Sequence, residues 1–382
     1  MNNRFCIPVL VFMTLAVFIS CTKDSSTQPK KQDLLAADLQ EALDTGAAQY
    51  GGKGFAASVL IPGEEPWLGV TGISHGTTAI SEQMLFAAGS VTKNFTAALI
   101  CQLAEEGSIT LDDPIHIWLQ EFQNIDNSIT IRQLLNHTSG IFNFTEHPDI
   151  WNSFFTNPDC FWTQEEILQN FVLPPYFSPG SNWHYSNTGY LLLGMIIEVA
   201  TGSSISAEFR TRFWTPLGMT QTYLAGEETL EGDMAHGWLD IDNDGDYDDL
   251  SSLSMRAFYS AASTAGAVFS TAPDLARWAQ ALFLEKIVVT QSSLDEMLTF
   301  YSPIPDQPIL DGYGLGTILY TPEFFNDLEM IGHSGDAPGY AAGSLFLPEY
   351  GVCIGLTDNT EQGNSMPIFN DILTIIVDYL NP

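Results

Sequence analysis

The chain has 382 residues, 45% of them hydrophobic, and a formal net charge of −34 from 12 Lys and Arg against 46 Asp and Glu. This charge excludes nucleic acid and anionic lipid headgroups as partners, because an acidic surface repels both. The length and apolar content favour one large globular unit, or two intimate subdomains, with a solvated exterior.

The N-terminus has the pattern of a targeting segment. Arg4 supplies a positive charge, residues 7–19 form an apolar run that is short for a membrane span, and Cys21 follows the run. The segment resembles a bacterial lipoprotein signal, with an ordinary secretory signal as the alternative. We therefore expect a signal peptide at 1–20, lipidation of Cys21, and a polar tether at 21–32. The protein would then be exported and anchored by lipid to a membrane of a bacterial envelope, on its periplasmic or cell-surface side.

The remaining chain, 33–382, has strand patterns near both ends and helical patterns between them. Apolar periodicity and flanking turn residues predict helices at 33–50, 90–107, 130–136, 164–171, 190–200, 207–213, 273–284 and 366–380. Alternating or continuous apolar runs predict strands at 55–61, 67–73, 313–320, 329–333, 339–347 and 352–357. This order predicts an α/β fold of the α+β type. One antiparallel sheet would be built from both termini and flanked by helices, with a mostly helical insertion.

A serine and a lysine share one face of the helix that begins near residue 90. Gly89 allows a tight turn before Ser90, and Lys93 places an amine beside its hydroxyl. A serine is a weak nucleophile until a base takes its proton, and a lysine can be that base when burial or a nearby cation lowers its pKa. The alternative is an N-cap serine followed by a surface lysine, because this spacing alone is common.

A second stretch, Tyr185-Ser186-Asn187, places a phenol and a carboxamide two residues apart before a predicted helix. A tyrosine can act as a general acid or base where a nearby cation lowers its pKa. An asparagine can orient a substrate amide, because its side chain both donates and accepts hydrogen bonds. A buried aromatic residue followed by a helix cap is the alternative.

A third stretch, His333-Ser334-Gly335, lies next to a predicted strand and is followed by Asp336. Gly335 would let a substrate backbone lie against the strand edge. The backbone N–H of Asp336, with that of Ser90, is predicted to form an oxyanion hole. An ordinary turn at the end of a strand is the alternative.

These three stretches, in this order and at these separations, resemble the motifs of the penicillin-recognising serine hydrolases, or serine β-lactamase-like superfamily. The Tyr-x-Asn and His-x-Gly forms are similar to the branch that holds class C β-lactamases, DD-peptidases and esterases. Further segments at 134–140, 216–219 and 270–275 fit the same pattern, and the resemblance covers roughly residues 35–380.

The resemblance implies a β-lactamase/transpeptidase-like fold and an acyl-transfer mechanism. Ser90 would attack a carbonyl and become acylated, while Lys93 and Tyr185 handle its proton. Asn187 would position the amide of a small-molecule or short-peptide substrate. The strand wall of the site would be lined by His333, Ser334 and Gly335. No metal or organic cofactor is implied for the chemistry.

The strand motif departs from the family pattern in its charges. The family often has Lys-Thr-Gly here, whereas this chain has His333, a titrating group in place of a fixed cation, and an acidic Asp336. No Lys or Arg occurs from Ile287 to the C-terminus, and Arg256 is the candidate cation from elsewhere in the chain. β-Lactams and D-Ala-D-Ala peptides carry a free carboxylate. We therefore expect a neutral ester or an amine-bearing peptide to suit this wall better.

These patterns predict a serine hydrolase that cleaves an amide or ester bond in a D-amino-acid peptide, a DD-carboxypeptidase-like substrate or a small ester. Three alternatives stay open. They are a class C-like β-lactamase, an inactive module that binds penicillin or cell-wall peptide, and a calcium-dependent adhesion protein.

An acidic insertion loop at 240–249 matches the first nine positions of a D-x-D-x-D-G calcium loop. The candidate ligands are Asp240, Asp242, Asp244 and Asp246. Gly245 would supply the sharp turn, but Ser251 stands where such loops usually have Glu. The pattern predicts a structural Ca²⁺ ion, with a solvated acidic loop as the alternative.

Overall fold

The computed structural model describes residues 31–242, 244–360 and 365–381. The predicted signal peptide and its Cys21 lie outside these residues. The described helices are α1 (Lys31–Tyr50), α2 (Thr92–Glu105), α3 (Ile131–Leu135), α4 (Ile150–Thr156), α5 (Gln164–Asn170), α6 (Asn187–Thr201), α7 (Ile205–Phe209), α8 (Thr215–Leu217), α9 (Arg256–Gly266), α10 (Ala272–Ala279), α11 (Gln291–Met297) and α12 (Ser365–Leu380).

The longer described strands lie towards the two ends of the chain, and helices lie between them. The described strands are β1 (Gly54–Leu60), β2 (Trp67–His75), β3 (Thr78–Ala79), β4 (Phe86–Ala87), β5 (Tyr223–Leu224), β6 (Trp238–Leu239), β7 (Asp248–Asp249), β8 (Val268–Ser270), β9 (Leu310–Tyr313), β10 (Ile318–Tyr320), β11 (Met330–Ala337), β12 (Tyr340–Leu347) and β13 (Val352–Asp358).

Eight strands form one antiparallel sheet in the order β3-β2-β1-β13-β12-β11-β10-β9. The first long strand pairs directly with the last, with Phe55 opposite Asp358 and Leu60 opposite Cys353. The prediction of a mixed α/β fold, with a sheet built from both termini, is confirmed.

One predicted strand is instead a hairpin. The sequence predicts one continuous strand over residues 313–320, but these residues include the end of β9, a turn and β10. Gly314 N–H donates to Thr317 O across this turn, at 2.8 Å. Gly316 has a φ of +61°, which only glycine adopts readily. The apolar residues on both sides of these glycines form two strands, so hydrophobicity alone did not mark the break.

The two faces of the large sheet pack against different helices. On one face, α1 and α12 form a hydrophobic cluster with the sheet that includes Leu39, Phe55 and Ile372. On the other face, the helical insertion forms a larger cluster that includes Phe95 and Trp278. A small sheet in the order β4-β8-β5 lies within this insertion. The sheet is therefore the middle layer of the domain, and α2 belongs to the layer on the insertion side.

Helix α2 is buried on almost every side. All residues from Thr92 to Cys101 are buried. A helix that is apolar or internally satisfied all round belongs in the middle of a domain. Its N-terminus continues a 3₁₀ turn, Gly89–Val91, and the Thr92 hydroxyl donates to Gly89 O at 2.7 Å. Ser90 is thereby held at a fixed point between the sheet and the insertion.

No single helix in the described part of the chain is both long enough and apolar enough to cross a membrane. Two segments, Asn187–Thr201 and Ile205–Leu217, meet the length and composition test only together, as a pair bent by 76°.

Helix α10 lies directly on β13 because Gly355 has no side chain. A Cβ at this position would overlap Ala272 O and would lie 2.7 Å from Ala276 N. Backbone atoms cannot move aside as a flexible side chain can, so the close approach of helix and strand depends on this glycine.

We expect Gly355→Ala to lower the free energy of unfolding by about 1–3 kcal/mol, the usual cost of overpacking a core. Urea denaturation of the purified protein measures this. Gly189→Ala is the matched control, because its Cβ would lie 3.4 Å from Leu134 O, an ordinary contact. Equal urea midpoints for the two variants would contradict this account of the packing.

Candidate active site

The predicted nucleophile and base are in contact. Lys93 Nζ lies 3.0 Å from Ser90 Oγ, and it donates a hydrogen bond to Ala265 O at 2.6 Å. Lys93 itself is fully buried, whereas Ser90 is partly exposed. The lysine is therefore an internal partner of the serine, and the alternative of a surface lysine is excluded.

Burial sets the protonation state of this lysine. Desolvation lowers the pKa of Lys93 well below its ordinary value, because the charged form loses its hydration. No carboxylate contributes to this pKa, and the described partners of Nζ are a carbonyl and a hydroxyl. An uncharged amine that donates one N–H to Ala265 O keeps a lone pair for the proton of Ser90.

Tyr185 is the third member of this group. Its side chain hydrogen-bonds with Ser90, but burial dominates and raises the pKa of the phenol. Lys93 Nζ lies 4.8 Å from the centre of the Tyr185 ring. No nearby cation lowers this pKa, and burial outweighs the hydrogen bond from the serine side. Tyr185 is therefore a protonated hydroxyl beside the nucleophile.

His333 lies inside the wall and does not face open solvent. It is 2% exposed, and its Nε2 lies 2.9 Å from the Tyr313 hydroxyl. Its Nδ1 contacts Ser334 O, which is only an acceptor, so Nδ1 carries the proton and Nε2 accepts from Tyr313. Desolvation, together with Lys93, lowers the pKa of His333 to about 3. The expectation that His333 titrates near neutral pH is wrong, since burial keeps it uncharged.

Two glycines bring β11 against the turn that carries Ser90. A Cβ at Gly335 would overlap Ala88 O and Ser90 N, and a Cβ at Gly89 would lie 2.7 Å from Asp336 N. The backbone N atoms of Ser90 and Asp336 therefore both border this crossing, as the oxyanion-hole prediction requires. The two segments can approach so closely only because both positions are glycine.

Asn187 begins helix α6 at the rim of the same cleft. Its backbone N–H donates to Asn143 Oδ1 at 3.0 Å, and its Nδ2 donates to Thr145 Oγ1 at 3.1 Å. Asn187 thus lines the same cleft as Ser90 and is oriented by the segment that follows α3. Ser334 is also on β11, but its side chain lies on the opposite side of that strand from His333.

Ser90, Asn187 and Asp336 line one small cleft with a volume of about 200 Å³. Much of the remaining lining is aromatic and consists of Phe144, Trp151, Phe154 and Phe258. The Trp151 and Phe258 rings stack with their centres 5.7 Å apart. The open part of the site is therefore an apolar chamber next to the nucleophile.

No described Lys or Arg lines this cleft. Arg256, the candidate cation from the sequence, lines a neighbouring depression, donates to Asp159 O at 3.1 Å and lies over Phe161. The one acidic group in the lining is Asp336, and desolvation raises its pKa. The cleft therefore offers a carboxyl group and aromatic rings but no fixed partner for a substrate carboxylate.

Several residues of the site were not predicted from the sequence. Ala265 carries the carbonyl that holds Lys93, and the aromatic chamber comes from segments spread between residues 144 and 258. A backbone carbonyl leaves no signal in sequence, and separated aromatic residues look like core. His137 belongs to the segment 134–140 that fits the family pattern, but the sequence pattern gives it no role.

The acidic loop brings together three of its four predicted ligands. Oxygens of Asp240, Asp242 and Asp244 lie within 4.8 Å of one another at the surface, without Asp246. The Asp240 carboxylate also accepts hydrogen bonds from the N–H groups of Asp244 and Gly245. Turn hydrogen bonds alone account for this loop shape, so a calcium ion remains a prediction.

Comparison with protein families matches residues 39–377 to the family described as Beta-lactamase. The chain belongs to the beta-lactamase family. The beta-lactamase family relatives include Penicillin-binding protein 4* of Bacillus subtilis, 32% identical over 67% of this chain and 56% of that protein. Penicillin-binding protein 4 of Amycolatopsis lactamdurans is 28% identical over 88% of each chain.

Solved structures of this fold include two amide hydrolases. The D-amino acid amidase of Ochrobactrum anthropi SV3, complexed with L-phenylalanine amide, matches with a TM-score of 0.78 and 30% identity, over 90% of this chain and 99% of the other. A D-stereospecific amidohydrolase from Streptomyces sp. matches with a TM-score of 0.75 and 30% identity, over 87% and 97%. The chain is a serine hydrolase of the beta-lactamase family, and its relatives include penicillin-binding proteins and amidases.

The buried lysine predicts how stability depends on pH. Its pKa is near 10.5 when unfolded and well below that when folded. Between the two values the unfolded chain binds one proton more, so wild-type stability falls as the pH drops through this window, by about 1.4 kcal/mol per pH unit. Lys93→Met removes this dependence. We therefore expect the free energy of unfolding of Lys93→Met, minus that of the wild type, to be larger at pH 7 than at pH 10.

Urea denaturation at several pH values measures this difference. Lys31→Met, at an exposed lysine, is the control and is expected to track the wild type. A difference between Lys93→Met and wild type that does not change with pH would mean that Lys93 is charged in the folded protein.

Proposed function

We propose that the protein hydrolyses amide or ester bonds through an acyl-enzyme on Ser90, and that its substrates carry an amine or no charge beside the scissile carbonyl. One observation carries the proposal: a partly exposed serine contacts a buried, uncharged lysine at the edge of a cleft that has no cation in its described lining. A base of this kind is what a serine nucleophile requires.

The first half of the reaction follows from these contacts. Lys93 Nζ takes the proton of Ser90 Oγ as that oxygen forms a bond to the substrate carbonyl carbon. The N–H groups of Ser90 and Asp336, which both border the glycine crossing, donate to the resulting oxyanion. The bond to the leaving nitrogen or oxygen then breaks. The leaving group takes the proton back from Lys93, through the hydroxyl of Tyr185.

The second half repeats these steps with water. Water loses a proton to the Lys93–Tyr185 pair and adds to the acyl carbon, after which the bond to Ser90 Oγ breaks and the serine regains its proton. Tyr185 acts as a relay, because its raised pKa keeps it protonated while its hydrogen bond to Ser90 keeps it in line.

Asn187 and the strand wall orient the substrate. Asn187 is fixed by Asn143 and Thr145 at the rim and presents its amide to the cleft. His333 supports the wall from within through Tyr313, while Ser334 and Gly335 supply backbone along it. Extended substrates fit such a wall, since a peptide can lie along a strand edge.

The charges and shape of the cleft favour particular substrates. An aromatic chamber suits a bulky apolar side chain, and Asp336 suits an ammonium group. The similar amidase structure is complexed with L-phenylalanine amide, which has both features. We therefore propose aromatic amino-acid amides, D-amino-acid peptides with a free amine, or small apolar esters as substrates.

β-Lactamase or DD-carboxypeptidase activity is the second candidate, on account of the penicillin-binding relatives. These substrates carry a carboxylate, for which the described cleft lining offers hydroxyl and amide groups but no cation.

We expect Ser90→Ala to reduce turnover about 1,000-fold or more, because the nucleophile of a concerted set is lost. The assay compares phenylalanine p-nitroanilide of both configurations, a p-nitrophenyl ester, nitrocefin and a peptide that ends in D-Ala-D-Ala. Ser108→Ala, at an exposed serine after the other end of α2, is the control and should match the wild type.

The same panel separates the candidates. Turnover of the amine-bearing amide or the ester, lost in Ser90→Ala, supports the proposal. Faster turnover of nitrocefin or release of D-Ala would favour the second candidate. Unchanged turnover in Ser90→Ala would contradict the mechanism, and the absence of any turnover or acylation in the wild type would favour a binding module.

Lipidation at Cys21 and anchoring in a bacterial envelope are also proposed. They rest on the sequence pattern alone, since that segment lies outside the described residues.

For the acidic loop, we propose a structural Ca²⁺ ion held by Asp240, Asp242 and Asp244. Calcium at 100 times its Kd would add about 2.7 kcal/mol to the stability of the folded state. A calcium titration after chelation should therefore raise the Tm of the wild type but not of Asp242→Asn. A wild-type Tm that responds equally to magnesium and to calcium would contradict a specific site.

A further inference from the structure

His137 lies in the loop that follows α3, and no part of it is exposed. Its backbone has a φ of +63°, in the left-handed region that residues other than glycine rarely adopt. A buried polar residue in this conformation is costly, so the surrounding contacts must hold it there.

His137 makes hydrogen bonds to both neighbours of Tyr185. Its backbone O accepts from the N–H of His184 at 3.0 Å, and its ring Nδ1 accepts from the N–H of Ser186 at 3.2 Å. The left-handed backbone turns the carbonyl and the ring of one residue toward the same segment. Tyr185 is therefore held on both sides by His137.

The imidazole ring also packs on the tyrosine itself. The ring centres of His137 and Tyr185 are 4.3 Å apart, and Tyr313 lies 4.6 Å away on another side. Because Nδ1 accepts a hydrogen bond from an N–H group, the proton of the neutral ring is on Nε2. No described hydrogen-bond partner reaches that Nε2, so the ring is confined among aromatic groups.

The buried surroundings of His137 favour its neutral form. Desolvation lowers the pKa of His137 well below its ordinary value, and Lys93, His333 and His184 act in the same direction. A protonated ring has no lone pair on Nδ1 and could not accept from Ser186. Burial thus maintains the acceptor on which the contact depends.

We propose that His137 is a positioning residue for the acyl transfer: it fixes Tyr185 beside Ser90 and Lys93 by bonding to both flanking residues and packing on the ring. The proposal rests on the proposed function of Ser90, and no substrate contact is assigned to His137. Its role is to keep the Tyr185 hydroxyl within reach of Ser90 Oγ during both proton transfers.

The test measures how fast a fluorophosphonate probe labels Ser90 in the purified full-length chain at pH values from 5 to 10. In this reaction Ser90 Oγ forms a bond to phosphorus, fluoride leaves, and the serine proton goes to Lys93. We expect His137→Ala to lower the rate constant about 10- to 100-fold, the usual effect of a small misplacement of catalytic groups. The pH midpoint of the rate should also shift, because Tyr185 no longer keeps its place beside Lys93.

A second variant separates positioning from folding. Asn tolerates the left-handed backbone and can place an oxygen near the position of Nδ1, but it lacks the ring. His137→Asn should therefore lose only about 3- to 10-fold in rate and keep a pH midpoint closer to that of the wild type. His116→Ala removes an exposed histidine that also contacts a backbone oxygen, Asn127 O at 3.0 Å, and should label like the wild type.

The final extent of labelling counts folded sites, so the rate constant refers to folded protein alone. A wild-type rate and pH profile in His137→Ala would overturn the proposal. If His137→Ala yields no folded protein, a wild-type rate in His137→Asn overturns the proposal, and a rate about 3- to 10-fold slower supports it. Labelling that persists in Ser90→Ala would overturn the proposed function instead, whatever the variants at 137 do.

Discussion

The site depends on an uncharged amine being kept out of water beside a hydroxyl. Burying a charged ammonium without a counterion costs several kcal/mol, so the folded protein favours the neutral form of Lys93. Helix α2 makes this burial possible because it is enclosed on almost every side. The carbonyl of Ala265 and the two glycines at the crossing complete the arrangement. The chemistry of the serine is therefore a consequence of how the core packs.

Local geometry explains what could be read from the sequence. The pairing of Ser90 with Lys93 follows from helix spacing, and Asn187 could be placed because a helix start follows it. The pKa values of Tyr185 and His333 could not be predicted from the sequence, because they depend on burial by residues distant in sequence, such as Tyr313. The β9–β10 hairpin was missed since two glycines break an otherwise apolar run.

The described cleft lining contains no cation, and His333 in the strand wall beside it is also uncharged. In the Lys-Thr-Gly form of the motif, a lysine at this position would add a cation to the wall near Lys93. Here the equivalent position holds a histidine whose ring is occupied by Tyr313 and Ser334. The buried part of the wall thus adds no charge, and Asp336 is the ionisable acidic group in the described cleft lining. The residue at position 333 therefore bears on substrate preference, whereas burial sets the protonation of Lys93.

The open edge of β11 has a consequence beyond catalysis. On one side, β11 pairs with β12 along its length. On the other side, β10 pairs only with Met330–Gly332, so that edge has no strand partner from Ser334 to Ala337 among the described residues. An unpaired edge is a place where another chain can add and begin to aggregate. Here the edge is recessed behind the turn at Gly89 and carries a carboxyl group, on a molecule with a net charge of −34. Two copies of this acidic chain repel each other, so the strand edge can stay accessible to small molecules without pairing with another copy.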